Sequence, residues 1–462
     1  MLFSSITFLF FFLPLVLAAY YFAPRAAKNH VLLAASLLFL AWGGLNALCI
    51  MLGVIAVNYV GALGFSSPRW LDKITQLVSI NPAARAGRKD VLLVTLIANF
   101  GVLFYFKYFN FVAGMFGSQA NIALPIGISF FTFQAVSYLL DVYRGEVPAE
   151  KNPLKLALFI AMFPQLIAGP IVKYHDINKA LDDREILPAD ILYGAQRFII
   201  GLAKKVLIAN TMGAVADRIF DSGIKQIDTP LAWVAIAAYT LQILFDFSGY
   251  SDMAIGLGRV FGFHFLENFN YPYISKSITE FWRRWHISLG AWFREYLYIF
   301  LGGNRTGNIY RNLFLVFLAT GVWHGAAWNF IVWGVWFGLF IMLEKRIGVE
   351  KFSGAWAHLY TMAVVTVSWV MFRAPDLKFA ARFLRAMLGA WRGESPYEVA
   401  YFFDRLEIVT FIAAIFLCLP IFRNILQTRW QWPLHVWLLI LFVLSASAIA
   451  SGTYNPFIYF RF

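Results

Sequence analysis

Apolar runs of membrane-crossing length follow one another along nearly the whole chain, and short polar stretches between them carry most of its Lys and Arg. A transmembrane helix needs about 20 mostly apolar residues. Its backbone polar groups must also be satisfied without water. Hydrophobic residues make up 60% of the chain and charged residues 14%, against about 25% charged in a soluble domain. No polar gap is long enough for a soluble domain of useful size. The expectation is an all-α, polytopic protein: one membrane domain over residues 1–462, with its motif core at about 240–345.

The net charge of +13 is scattered between apolar runs rather than laid along one face. That is the positive-inside bias of cytoplasmic loops, and it argues against nucleic acid as a partner. Part of the charge can also hold an anionic substrate or lipid headgroups. Cys49 and Cys418 sit inside apolar runs without metal or disulfide spacing. At the N-terminus no positive side chain precedes Arg25, and the apolar run is too long for a signal core. It reads as a first transmembrane helix whose C-terminal end faces the cytoplasm, because Arg25 and Lys28 follow it. The loop carrying Arg69, Lys73, Arg85, Arg88 and Lys89 belongs on the same side.

Along the chain, 31–64 is expected to form two short helices turning at 42–46, with further spans at 91–106 and 122–140. The latter carries Ser129, Thr132, Gln134 and Ser137, which suit helix packing or a polar tunnel lining. Residues 154–172 hold Pro164, Gly169 and Pro170 and should break or re-enter. Spans at 191–210 and 230–250 follow. Asp246 and Asp252 lie in or beside the apolar zone, where carboxylates need partners. Anchoring the next loop is the role read for them, with acid-base chemistry as the alternative. Gly256, Gly258 and Gly262 follow no strand and make no nucleotide loop. Later spans are expected at 358–373, 407–423 and 433–451, with a basic amphipathic stretch at 374–395. The total is about eleven spans, with re-entrant and interfacial pieces.

The densest mixture of arginine and aromatic residues lies between two Trp-His pairs, Trp285-His286 and Trp323-His324. Ser277-Ile278-Thr279-Glu280 has the form of a capping box, so a helix should start there. On a continuous helix, Trp282, His286, Leu289 and Phe293 share one face. Arg283 and Arg294 flank that face and Arg284 points away, as in an interfacial helix. Residues 312–343 are too long for one span and break at the small-residue patch GVWHGAAWN. This places His324 near the membrane interior, with room for backbone or a slender ligand. An ionisable group there is a functional candidate by default. The other histidines (His30, His175, His264, His358 and His435) lie at loop or span edges and read as ordinary structural or solvated residues.

A neutral imidazole is a natural general base. It can take a hydroxyl proton as the oxygen attacks an activated acyl group. Arg283, Arg284, Arg294, Arg305 and Arg311 suit a donor bearing phosphates, and Trp285 and Trp323 are assigned to the same donor site. There is no Gly-x-Ser-x-Gly elbow, HExxH or Walker loop. Two histidines without carboxylates at ligand spacing make a weak metal site, so no metal is expected.

SITEFWRRWHISLGAWFREYLYIFLGGNR and GVWHGAAWNFIVWG resemble the signature of the membrane-bound O-acyltransferase (MBOAT) family, in particular its alginate O-acetyltransferase (AlgI-like) subgroup. The resemblance extends to LPIGISFFTFQAVSYLLDVYRG, FPQLIAGPIVKY, LQILFDFSGYSDMAIGLG, ENFNYPYISKSITEF and the terminal YNPFIYFRF. It implies a multi-helix fold around a central tunnel, with His324 as the essential catalytic histidine and His286 as its second motif histidine. It also implies acetyl-CoA as a cytoplasmic donor rather than a bound cofactor. The setting implied is a bacterial inner membrane, with a periplasmic acetyl-accepting or acetyltransferase partner that modifies a polysaccharide. Alginate, peptidoglycan and cellulose are the acceptors in view. The competing reading is a proton-coupled transporter or flippase of acyl or sugar carriers, although no internal repeat is evident.

Overall fold

The computed structural model describes residues 1–66, 87–118, 120–305, 308–391, 393–427, 431–452 and 454–456. The expected basic loop at Arg69, Lys73 and Arg85 lies outside them, as do the last six residues of the terminal motif. No β-strand occurs among the described residues. Among the described residues six helices are long and apolar enough to cross a membrane, or seven if the bent pair Arg405–Leu417 and Pro420–Gln427 is one span. The expected count of about eleven included three helices that are only 14 to 17 residues long. At about 1.5 Å per residue these fall short of a 30 Å hydrocarbon core.

The chain forms two compact units, one of Met1–Gly194 with Ala254–Leu266 and one of Ala195–Met253 with Glu267–Phe462. In the first, helices α1 (Thr7–Phe22), α2 (Lys28–Ala41), α3 (Leu45–Ser66), α4 (Arg88–Lys107), α5 (Phe109–Met115) and α6 (Ile128–Arg144) follow one another. The turn at 42–44 falls where Gly43-Gly44 predicts it. Asn58 of α3 and Asn99 of α4, both buried, exchange amide hydrogen bonds at 2.8 and 3.2 Å. Such polar contacts join helices in lipid, where apolar burial supplies no drive.

The run 154–172 is broken as expected. Helix α7 (Pro153–Ala161) stops at Met162, and a single turn, Phe163–Leu166, leads into a buried irregular stretch. The backbone freed by the break is satisfied internally. Ser36 accepts from the Phe163 N–H, and Gln165 donates to the Phe159 carbonyl. Residues 173–190, between the broken run and the next expected span, contain a further helix, α8 (Tyr174–Asp182). His175 on it is not merely solvated: its Nδ1 lies 2.9 Å from Asp141.

Two long helices follow, α9 (Pro188–Asp221) and α10 (Thr229–Val260). In the second unit they cross closely: a Cβ on Gly201 would lie 2.5 Å from the Gly249 carbonyl oxygen. Here the carboxylates of α10 find cations on α9. Asp246 pairs with Lys205 at 2.7 Å, and Asp252 pairs with both Arg197 and Lys204 at 2.7 Å. The anchoring role read for Asp246 and Asp252 is thus toward a helix. The following loop is held instead by Arg197, which also binds Glu267 at 2.5 Å.

The second unit continues through α11 (Ile278–Arg284), α12 (Ile287–Phe293), α13 (Ile309–His324), α14 (Trp328–Ile347), α15 (Gly354–Arg373), α16 (Leu377–Met387), α17 (Arg405–Leu417) and α18 (Gln431–Ser451).

Candidate active site

Helix α11 begins as its sequence predicts, with Ser277 Oγ accepting from the Glu280 N–H at 2.9 Å. The Glu280 carboxylate reaches back one residue further than a standard box, to the Lys276 N–H. A second carboxylate, from α14, completes the start. Buried Glu344 accepts from the N–H groups of Ile278 (2.5 Å) and Thr279 (2.8 Å) and from the Thr279 hydroxyl (2.7 Å). The free amides and positive dipole end of a helix offset the cost of burying that charge. A seven-residue helix has little stability of its own, so this seat fixes where α11 lies.

The continuous helix expected through His286 does not form. Helix α11 ends at Arg284, and His286 adopts a left-handed conformation (φ 45°, ψ 54°) before α12 begins. That conformation costs a non-glycine residue about 1–2 kcal/mol. It is held by the segment 268–270, which runs beside the break. The Asn270 N–H donates to the Arg284 carbonyl (2.9 Å) and the Ile287 N–H to the Asn268 carbonyl (3.0 Å). Asn268 Oδ1 accepts from His286 Nδ1 (3.1 Å), the Ser288 N–H (3.2 Å) and the Ser288 hydroxyl (2.8 Å).

The break separates Trp282 from His286. Trp282 turns to Phe317, Trp333 and Phe337. The fully buried His286 ring meets Phe247 edge-on at 4.6 Å and lies tilted by 56° to Trp323, with centroids 6.2 Å apart. Among the described residues its Nε2 has no hydrogen-bond partner.

The overlong run breaks where the small residues predict, between α13 and α14, with His324 as the last residue of α13. The glycines serve the close approach of these two helices. A Cβ on Gly321 would lie 2.5 Å from the Phe330 carbonyl oxygen, and one on Gly334 would lie 2.4 Å from that of Phe317. At Gly325 a Cβ would enter the Phe330 ring. The space that the sequence offers to backbone or ligand is taken by backbone and by Phe330. Asn329 ties the turn to the end of α15 by donating to the carbonyls of Met371 and Ala374. His324 is 5% exposed, its ring edge-on to Trp323 (4.9 Å), Trp333 (4.7 Å) and Phe372 (5.4 Å). Both histidines therefore lie against one indole, that of Trp323.

The residues assigned to the donor divide. Arg283, Arg294 and Arg305 are exposed and have no ion-pair partner among the described residues. Arg284 is committed to Glu280 (2.8 Å) and the Asn270 carbonyl (3.1 Å). Trp285 is 3% exposed and packed among Phe269, Phe281 and Trp369. Trp323, 4% exposed, is in contact with both imidazoles. Asn268, Glu344, Asn329 and Trp369 were not picked out from sequence. Only Glu344, a lone acid closing an apolar helix, carried a signal. Elsewhere, Asp141, Glu146 and His175 bring possible ligand atoms within 4.8 Å of one another, but the Asp141 carboxylate is already bonded to the imidazole.

Residues 149–380, which include every one of these groups except Asp141 and Glu146, match the MBOAT, membrane-bound O-acyltransferase family. The chain is 41% identical to the probable alginate O-acetylase AlgI of Pseudomonas putida, over 100% of both chains. It is 36% identical to the peptidoglycan O-acetyltransferase of Helicobacter pylori, over 84% of this chain and 80% of that one. The teichoic acid D-alanyltransferase of Bacillus subtilis is 32% identical over 54% of this chain. The chain belongs to the membrane-bound O-acyltransferase family and is a membrane O-acyltransferase.

Proposed function

We propose that the protein transfers acetyl from cytoplasmic acetyl-CoA across a bacterial inner membrane, for O-acetylation of an extracytoplasmic polysaccharide through a periplasmic partner. Alginate is the first acceptor to test, given the relative that matches over its full length. Peptidoglycan is the second, because a relative of that activity covers most of the chain.

The observation that carries this reading is the placement of His324 and His286 against the same Trp323 ring, inside the region that matches the family. In the chemistry proposed, neutral His324 takes the proton of the acceptor hydroxyl as its oxygen attacks the thioester carbonyl. The tetrahedral centre then collapses, the C–S bond breaks, and the imidazolium returns the proton to the leaving thiolate. The products are the acetyl ester and free coenzyme A. Aromatic walls exclude water that would otherwise hydrolyse the thioester. The exposed cations Arg283, Arg294 and Arg305 are the residues proposed to meet the donor phosphates.

The test is His324→Ala, expressed with its polymer-synthesis partners, followed by mass spectrometry of polymer-bound acetyl. Loss of the ester with the protein still inserted is expected, and full acetylation would overturn the assignment. His324-dependent release of coenzyme A from acetyl-CoA separates this chemistry from simple transport of an acyl or sugar carrier.

A further inference from the structure

We propose that Asn268 is a positioning residue that locks His286 in the Nδ1–H tautomer, so that Nε2 presents a lone pair to a second, non-reacting hydroxyl of the acyl acceptor. The second half of this statement rests on the acetyl-transfer reading above; the first does not. The argument starts from a group that can only donate. The Ser288 backbone N–H lies 3.2 Å from the Asn268 side chain, so the atom facing it must be the amide oxygen. The Asn268 NH2 is then turned to Ser251 Oγ on α10, 3.0 Å away, which accepts from it. With the amide orientation fixed, the 3.1 Å contact between Oδ1 and His286 Nδ1 requires the proton on Nδ1.

In the neutral ring Nε2 is therefore the acceptor. It is fully buried and has no hydrogen-bond partner among the described residues. A buried polar atom without a partner carries its full desolvation cost. A hydroxyl that docks against it removes that cost, which makes Nε2 a site for a donor from the substrate. Among the described residues the ring packs against Phe247 and Trp323. The charged groups on the surrounding elements are engaged elsewhere: Asp246 with Lys205, Asp252 with Arg197 and Lys204, and Arg284 with Glu280. His324 lies against the same Trp323 ring. An amide oxygen in place of a carboxylate behind Nδ1 does little to stabilise an imidazolium. His286 is thus built to accept a hydrogen bond from a neighbouring hydroxyl of the acceptor and keep its neutral form, while His324 takes the proton of the hydroxyl that reacts.

Two measurements decide the matter. The first is solid-state NMR of the full-length protein in bilayers with 15N-labelled histidine, the His286 signals being assigned by their loss in His286→Gln. A protonated Nδ1 with an unprotonated Nε2 is expected, and a proton on Nε2 overturns the clamp. This result stands whatever the enzyme transfers. The second is the pH profile of His324-dependent coenzyme A release from acetyl-CoA in Asn268→Asp and Asn268→Ala. A carboxylate behind Nδ1 raises the affinity of the ring for a second proton, so Nε2 is lost as acceptor at higher pH. The acid limb should move up by at least about one unit, with the rate recovering on the alkaline side. Asn268→Ala should lower kcat at least about tenfold at all pH values, with little change in KM for acetyl-CoA. An unshifted acid limb in a folded Asn268→Asp protein overturns the proposal. If no variant or wild-type protein releases coenzyme A, the acetyl-transfer reading and the hydroxyl contact fall together, and the NMR result alone settles the tautomer.

Discussion

Replacing Gly334 by Ala tests whether the close packing of α13 on α14 sets the position of His324. The added Cβ would sit 2.4 Å from the Phe317 carbonyl oxygen, 2.8 Å from Gly321 Cα and 3.0 Å from Gly321 N. All three are backbone atoms of one helix, so no side chain can rotate away, and the helices must part by on the order of 1 Å. Overpacking of this kind costs about 1–3 kcal/mol. A 1 Å displacement of a reacting group costs on the order of 100-fold in rate. Because His324 ends α13 three residues beyond Gly321, Gly334→Ala should lower acetyl transfer by about two orders of magnitude and lower the thermal midpoint in detergent. Gly53→Ala supplies the control. Nothing lies within 4 Å of its Cβ, and Ala is favoured over Gly in a helix by about 0.5–1 kcal/mol. It should be at least as stable as the wild type and equally active. The assay is the initial rate of coenzyme A release together with thermal aggregation of the solubilised protein. A Gly334→Ala protein matching Gly53→Ala in both would refute the packing argument. Lost stability with an unchanged rate would refute the link between helix spacing and the histidine.

Glu344→Gln keeps the shape of the seat under α11 but turns an NH2 toward amide donors that now bond a carboxylate. A loss of about 2–3 kcal/mol is expected, read as a lower thermal midpoint, and an unchanged midpoint would show that the charge is not needed. Alanine at Arg283, Arg294 or Arg305 should raise KM for acetyl-CoA several-fold at constant kcat, whereas Arg284→Ala should change stability by less than about 1 kcal/mol and leave KM alone. The reverse pattern in steady-state kinetics would move the donor site. Asp252→Asn leaves Arg197 and Lys204 without their shared carboxylate. Because Arg197 keeps Glu267 and Lys204 reaches solvent, it should destabilise the fold by about 1–3 kcal/mol, measured as loss of folded protein on heating.

What the sequence discloses here is mostly what local pattern controls. The break before Gly325 is legible because the run 312–343 exceeds one span and thins to glycine and alanine at one point. The broken segment around Pro164 is legible because proline removes a helical hydrogen bond. The start of α11 follows from Ser277 and Glu280. The kink at His286 follows from nothing nearby: WRRWHISLG has helical spacing throughout. Asn268, eighteen residues upstream, imposes the kink by offering better partners than the next helical turn. A longer separation, 65 residues from Thr279, hides Glu344 from any reading of α11. The span count of about eleven is not confirmed, for a different reason. Several apolar helices are shorter than a bilayer, and apolarity does not record where a helix ends.

Glu344 has a mechanical consequence. Helix α11 carries the chain about 10 Å from the Glu344 seat toward the His286 kink, and α14 rises about 22 Å between Asn329 and Glu344. Asn329 fastens the near end of α14 to α15 beside the His324 turn, while Glu344 grips α11 at the far end. With Trp323 touching both imidazoles, the two helices and the indole form a closed truss. The spacing of the histidines is then a property of the whole frame, and a one-residue insertion in α14 between Gly334 and Glu344, far from either ring, would be enough to throw them out of register.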